Sequence, residues 1–163
     1  MSSLFQEALE AYSVPMRILI ANDHGAVERS REVLAWLRTQ GHEVRDLGVA
    51  TETRVDYPDK ALEATTEFLK GGWDLGILLC GTGIGISIAA NKVRGIRCAL
   101  VHDKFTAEMA RAHNNANFIA LGGRTELPCP LGDILATFLD TAFEGGRHSE
   151  RLAKIAAMEP PAS

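Results

Sequence analysis

The sequence predicts an α/β domain in three layers, α/β/α, with a five-stranded parallel sheet at its centre. Five short runs rich in branched apolar residues alternate with segments whose apolar residues recur at helical spacing. Such βα alternation favours parallel strands, because each crossover helix returns the chain to the same end of the sheet, and it covers both sheet faces. The 163 residues fit one domain, since domains run to about 100–200 residues. The chain carries no internal repeat and no composition shift that would mark a second domain.

Arg17 to Ala21 reads as the first strand, and Val27, Leu34 and Leu37 place the helix after it. Glu43 to Leu47 is the second strand, followed by a helix marked by Ala61, Ala64, Phe68 and Leu69. The third strand, Leu75 to Leu79, leads into a helix over Ile86 to Val93, and the fourth, Ile96 to Val101, into one over Phe105 to Ala112. Phe118 to Leu121 is the fifth strand, with a helix over Leu131 to Phe143. Arg147 to Ala157 adds a terminal helix. The domain is expected over residues 16–157, with 1–15 an N-terminal extension and 158–163 a loose tail.

Composition narrows the function classes. Hydrophobic residues make up 46% of the chain, ample for a core, and 23% charged residues with net charge −4 describe an ordinary surface. Nothing asks for a nucleic acid or membrane partner. No apolar run reaches the length of a membrane span, and residues 1–15 lack the basic-then-apolar layout of a secretory leader, so a cytoplasmic address is expected. Cys80, Cys98 and Cys129 form an odd set without C-x-x-C spacing. This suggests reduced thiols rather than a disulfide framework or a zinc site.

The most chemical feature is Cys80, which ends an apolar strand and is followed at once by Gly81-Thr82-Gly83-Ile84-Gly85 opening a helix. Glycines allow close backbone approach, and a helix start turns N–H groups and positive partial charge toward an anion or a developing oxyanion. The plainer alternative is a small buried hydrophobe followed by a tight turn. In open parallel sheets ligands sit beyond the C-terminal strand ends, where the winding direction changes. The loops after strands one and three are therefore the suspects, and if these strands are neighbours, Asp23, His24 and Cys80 share a cleft. Asp23 also reads as a helix cap.

Three further groups carry possible chemistry. His113 and Asn114 lie between the fourth helix and fifth strand, in a polar stretch expected near the C-terminal strand ends or their connecting loops. A histidine suits proton transfer near neutrality, although one closing a helix also suits the dipole there. Arg147 and Arg151, four apart, share a helical face, and Arg124 adds a guanidinium after the fifth strand. Such groups grip phosphate through paired donors, or simply line a solvated surface.

Taken together, Asp23-His24-Gly25, Asp56-Tyr57-Pro58, the run Cys80 to Lys92, His113-Asn114 and Gly145-Gly-Arg-His-Ser-Glu-Arg151 make the chain similar to ribose-5-phosphate isomerase of type B, from about Met16 to Ile155. The resemblance implies a Rossmann-like sheet of order 2-1-3-5-4 and an aldose–ketose isomerase of sugar phosphates that needs no metal or other cofactor. It implies a homodimer whose clefts draw residues from both copies, with further pairing into tetramers in some members. By the same resemblance Cys80 is the base that moves a proton between C1 and C2, and Thr82 orients or activates the thiol. The amides of Gly81, Gly83, Ile84 and Gly85 hold the enediolate. His113 protonates the furanose ring oxygen, Asn114 binds sugar hydroxyls, and Asp23 and His24 contact substrate, Asp23 helping the hydroxyl proton shift. Tyr57 walls the sugar, and Arg124, Arg147 and Arg151 bind the phosphate.

Some relatives use a glutamate base four residues after Thr82, where this chain has Ile86, which leaves the thiol as the base. Asn22 stands where relatives often carry a small residue or cysteine. Ribose 5-phosphate is the first choice of substrate, with galactose 6-phosphate, allose 6-phosphate or a tetrose or tetrulose phosphate as alternatives. A dinucleotide site fails on spacing, since the third glycine of its fingerprint falls on Ile86. A non-catalytic sugar-phosphate sensor or thiol switch stays open at this level.

Overall fold

The computed structural model describes residues 14–51 and 53–159. Most of the expected N-terminal extension, and the tail from residue 160 onward, lie outside them. The strands are β1 (Arg17–Asn22), β2 (Glu43–Asp46), β3 (Leu75–Cys80), β4 (Cys98–Leu100) and β5 (Phe118–Gly122). Among the described residues the helices are α1 (Val27–Thr39), α2 (Tyr57–Leu69), α3 (Ile84–Ala90), α4 (Lys104–Ala112), α5 (Leu131–Asp140) and α6 (Arg147–Ala156), with a 3-10 turn at His24–Ala26. All strand pairs are parallel, in the order β2-β1-β3-β5-β4. This is the three-layer architecture the sequence predicts.

The period of two along β3 divides the core. Ile77 and Leu79 face a layer with Val33, Leu37, Ile134 and Phe138, while Leu78 and Cys80 face one with Ala61, Ala64, Ile86 and Phe118. Being central, β3 is buried along its whole length, which is why its sequence is apolar without alternation. Gly76 makes room for the Phe118 ring, since a Cβ there would stand 2.0 Å from a ring carbon.

Five elements are shorter than their sequence runs, β2 and α6 by one residue each at their C-terminal ends. β4 spans only Cys98–Leu100, because the side chains of Asn117 and Asn91 take the N–H groups of Arg97 and Cys98 at its entry. α3 stops at Ala90, where Asn91 turns its amide back to the Ser87 and Cys98 carbonyls. α5 stops at Asp140 because Thr141 is extended. Among the described residues no helix is long and apolar enough to cross a membrane.

The parallel topology has one decisive effect on placement. Every βα connection lies at the C-terminal edge of the sheet, and every αβ connection at the opposite edge. His113 and Asn114 follow α4 and precede β5, so they lie at the N-terminal edge, not near the C-terminal ends as expected from the sequence. Asn117 anchors this assignment: its carbonyl accepts from Gly76 N–H at the start of β3, and its Oδ1 from Arg97 N–H beside β4. The length of β3, six residues at about 3.3 Å each, separates the two edges by roughly 17 Å.

Candidate active site

At the C-terminal edge three loops converge, and close glycine contacts let them do so. A Cβ on Gly25 would stand 3.0 Å from Gly81 N, and one on Gly123 would stand 2.5 Å from Ala26 Cα. Gly123 N–H donates to the Cys80 carbonyl and Arg124 N–H to that of Gly81, so the loop after β5 is laced to the loop after β3. The Arg124 guanidinium lies alongside Gly81, its Nη1 3.5 Å from where a Cβ would be. Asp23, His24, Cys80, the glycine ribbon and Arg124 therefore form one constellation.

Cys80 is buried, and its Sγ accepts a hydrogen bond from Gly83 N–H at 3.2 Å. Gly83 has φ +78°, a left-handed conformation that turns this amide back toward the sulfur. The Thr82 hydroxyl accepts from Ile84 N–H at 3.3 Å at the start of α3. The backbone amide of Gly83 is thus a hydrogen-bond donor to the sulfur. Tyr57, at the start of α2, lays its ring against Gly85, where a Cβ would be 2.6 Å from the ring's Cζ.

Asp23 is buried and its Oδ1 accepts from Gly25 N–H at 2.8 Å, so it caps the turn at His24–Ala26 as well as facing the cleft loops. The His24 ring is fixed through Nδ1, which lies 3.1 Å from the Val55 carbonyl and 3.3 Å from its amide. Asn22 holds the same region from below. Buried at the end of β1, it donates from Nδ2 to the carbonyls of Asp23 (2.9 Å) and Val49 (3.1 Å). Its role is to clasp the segment after β2. Sequence reasoning had assigned it no such part, because the partner carbonyls are sequence-blind.

At the opposite edge a second constellation gathers around His113. Its ring stacks on that of His148, with centroids 4.1 Å apart and planes inclined by 12°. Glu144 Oε2 lies 3.3 Å from His148 Nε2 and 3.8 Å from His113 Nε2. Arg147 and Arg151 open the exposed α6 beside them, and Asn114 is exposed next to His113. Glu144 is a residue the sequence reading passed over; its signal was the spacing of four to His148. Arg124 therefore stands apart from Arg147 and Arg151 within one chain.

The polar atoms of His113, Glu144 and His148 lie within 4.8 Å of one another. Near-parallel stacked rings cannot both aim an in-plane lone pair at one ion, and two arginines adjoin them, so the arrangement suits hydrogen bonding better than coordination. Burial holds His148 below the ordinary imidazole range, the charges of His113 and Arg147 act in the same direction, and Glu144 opposes them. Burial pushes the Cys98 thiol far up, which marks it as an inert core residue. Asp103, whose distance from the glycine loop mimics a ribose-binding acid, is engaged as the N-cap of α4, accepting from Thr106 N–H at 2.7 Å.

A family model described as Ribose/Galactose Isomerase matches residues 18–155. Ribose-5-phosphate isomerase B of Escherichia coli (strain K12) is 38% identical over 143 residues, 88% of this chain and 96% of that protein. The crystal structure of a ribose 5-phosphate isomerase from Thermotoga maritima superposes with a TM-score of 0.84 at 47% identity, covering 88% of this chain and 99% of the other. The type B ribose 5-phosphate isomerase of Leishmania infantum gives 0.83 at 43% identity, covering 89% and 97%. With the thiol, the glycine ribbon and both polar constellations in place on this sheet, the chain belongs to the ribose/galactose isomerase family of aldose–ketose isomerases.

Proposed function

We propose that this isomerase interconverts ribose 5-phosphate and ribulose 5-phosphate through a cis-enediolate, with the Cys80 thiolate as base. The observation that carries the reading is the backbone amide of Gly83 at 3.2 Å from Sγ: the sulfur is already an acceptor at the head of the glycine loop. His113 gives a proton to the furanose ring oxygen as the C1–O4 bond breaks and the C1 hydroxyl proton leaves, which yields the open aldehyde. Cys80 then takes the C2 proton, the C–H electron pair becomes the C1–C2 double bond, and negative charge gathers on O1. The amides of Gly81, Gly83, Ile84 and Gly85 meet that charge, where preorganised donors are most effective. Asp23 assists transfer of the hydroxyl proton between O2 and O1, and Cys80 returns its proton to C1.

The phosphate and ring-opening groups come from a second copy in this reading. Proton transfer needs hydrogen-bond reach of about 2.6–3.2 Å, and within one chain His113 and Cys80 lie at opposite sheet edges. A homodimer that sets the His113, Asn114, Arg147 and Arg151 edge of one copy against the Cys80, Tyr57 and Arg124 edge of the other completes two equal sites. Tetramers would pair such dimers. His24 and Tyr57 then wall the sugar, and no metal or organic cofactor takes part. A reduced thiol fits a cytoplasmic address.

The test is turnover of purified protein on ribose 5-phosphate, allose 6-phosphate, galactose 6-phosphate and erythrose 4-phosphate, each repeated with Cys80→Ala. Preference for ribose 5-phosphate, abolished by the substitution, is the expected result. Preference for another sugar phosphate would keep the base and change the substrate, and unchanged turnover in Cys80→Ala would remove the thiol mechanism.

A further inference from the structure

The segment between α5 and α6 is shaped to deliver one carboxylate. Glu144 N–H donates to the carbonyl of Ala112, one of the last α4 carbonyls that the helix itself leaves unpaired. Gly145 and Gly146 follow with φ of +68° and +55°, a consecutive left-handed pair that only glycine adopts at low cost. The chain thereby reverses, His148 N–H closes on the Gly145 carbonyl, and the His148 ring arrives beneath Glu144 and flat against His113. A tight turn alone needs neither the carboxylate nor the ring at these positions.

The two rings differ in environment. His148 is 4% exposed, whereas the His113 side chain is 36% exposed and is the outer member of the stack. The charged groups facing the pair are Glu144 from the preceding segment and Arg147 and Arg151 from α6. From α4, Arg111 turns away, donating to Asn115 Oδ1 and the Ala116 carbonyl. Glu144 is within hydrogen-bond reach of His148 Nε2 but only within Coulombic reach of His113 Nε2. A carboxylate so placed can hold an N–H of the inner ring and still attract a proton on the outer one. Two imidazolium rings stacked at 4.1 Å beside two arginines would repel strongly, so the pair holds no more than one proton.

We propose that His148 and Glu144 are positioning residues for His113, the stacked inner ring fixing its plane and, being buried, leaving the shared proton to the outer, exposed ring, with the carboxylate as counter-charge to that proton. This rests on the reading of His113 as the ring-opening acid. It supplies what that step needs: an imidazole held in one orientation, protonated on the ring that faces solvent and substrate. The inner ring acts by shape and neutrality, not by its own proton.

Two measurements on the full-length protein test this. In the first, the ring Cε1–H resonance of His148 is followed against pH by NMR in histidine-labelled protein. His113→Gln is expected to move the His148 midpoint upward, because a cationic neighbour has been removed; an unmoved midpoint overturns the shared proton whatever the activity. In the second, kcat on ribose 5-phosphate is expected to fall roughly tenfold or more in His148→Ala and to return to within about threefold of wild type in His148→Phe, which restores the flat wall without a proton. Equal losses in the two variants would overturn the positioning role and make the inner ring a proton carrier. A midpoint shift in His113→Gln, found together with a wild-type protein inactive on ribose 5-phosphate, would overturn the substrate reading and leave the ring pairing established.

Discussion

If each site is assembled from opposite edges of two copies, two dead variants must rescue one another. Cys80→Ala removes the proposed base from one edge and His113→Ala the proposed acid from the other, and on this reading the roughly 17 Å between the edges prevents either chain from completing a site alone. In a mixed dimer one site loses both groups and the other keeps both. Random pairing of equal amounts makes half the dimers mixed, and by the two-fold equivalence of the sites about a quarter of wild-type activity returns. Co-expression with two different affinity tags isolates the mixed dimer, for which the expected value is about half of wild type. Turnover on ribose 5-phosphate is the assay, with each parent as baseline. A purified mixed dimer no more active than its parents would refute the shared site and require a chain whose two edges serve different reactions.

Other perturbations follow from the same geometry. Gly83→Ala combines φ +78° with a Cβ 2.9 Å from the Leu121 carbonyl carbon, so it is expected to cost about 1–3 kcal/mol of stability and to swing the amide away from Cys80 Sγ. Denaturant titration and kcat measure the two effects, and full activity at wild-type stability would disprove the role of that amide. His42 is held neutral by burial below its ordinary range, with Nδ1 accepting Met16 N–H. The unfolded chain binds the proton first, below about pH 6.5, so this contribution to stability is complete above that pH and lost as pH falls through the lower folded value. Denaturation midpoints between pH 7.5 and 5 should fall more steeply in wild type than in His42→Gln, and equal slopes would contradict the assignment.

Much of this was legible in the sequence because period and punctuation are local. The apolar run of β3 and the glycines after Cys80 announce a buried strand and a tight turn without any tertiary knowledge. What stayed hidden depends on backbone groups, which have no letter in the sequence. A donor to Cys80 is Gly83 N–H, a backbone group that no side-chain reading of the glycine loop could name. His24 is oriented by the Val55 backbone, 31 residues on. The edge to which His113 belongs follows from strand direction alone, yet a polar stretch read one-dimensionally was grouped with the other polar loops. Arg124 and the α6 arginines look alike in sequence and lie on different edges for the same reason.

The clasp at Asn22 also constrains how this chain can change. A Cβ at Gly48 would lie 1.9 Å from Asn22 Oδ1, so the two positions cannot carry side chains of this size together. Any residue larger than glycine at 48 becomes admissible only after position 22 has been shortened, and shortening it first strands the buried Asp23 carbonyl and the partly buried one of Val49. The route between an asparagine and a small-residue version of this loop therefore has a preferred order of steps and a less stable intermediate. A side chain at position 48 that a smaller residue at 22 would accommodate is thus incompatible with the asparagine of this chain.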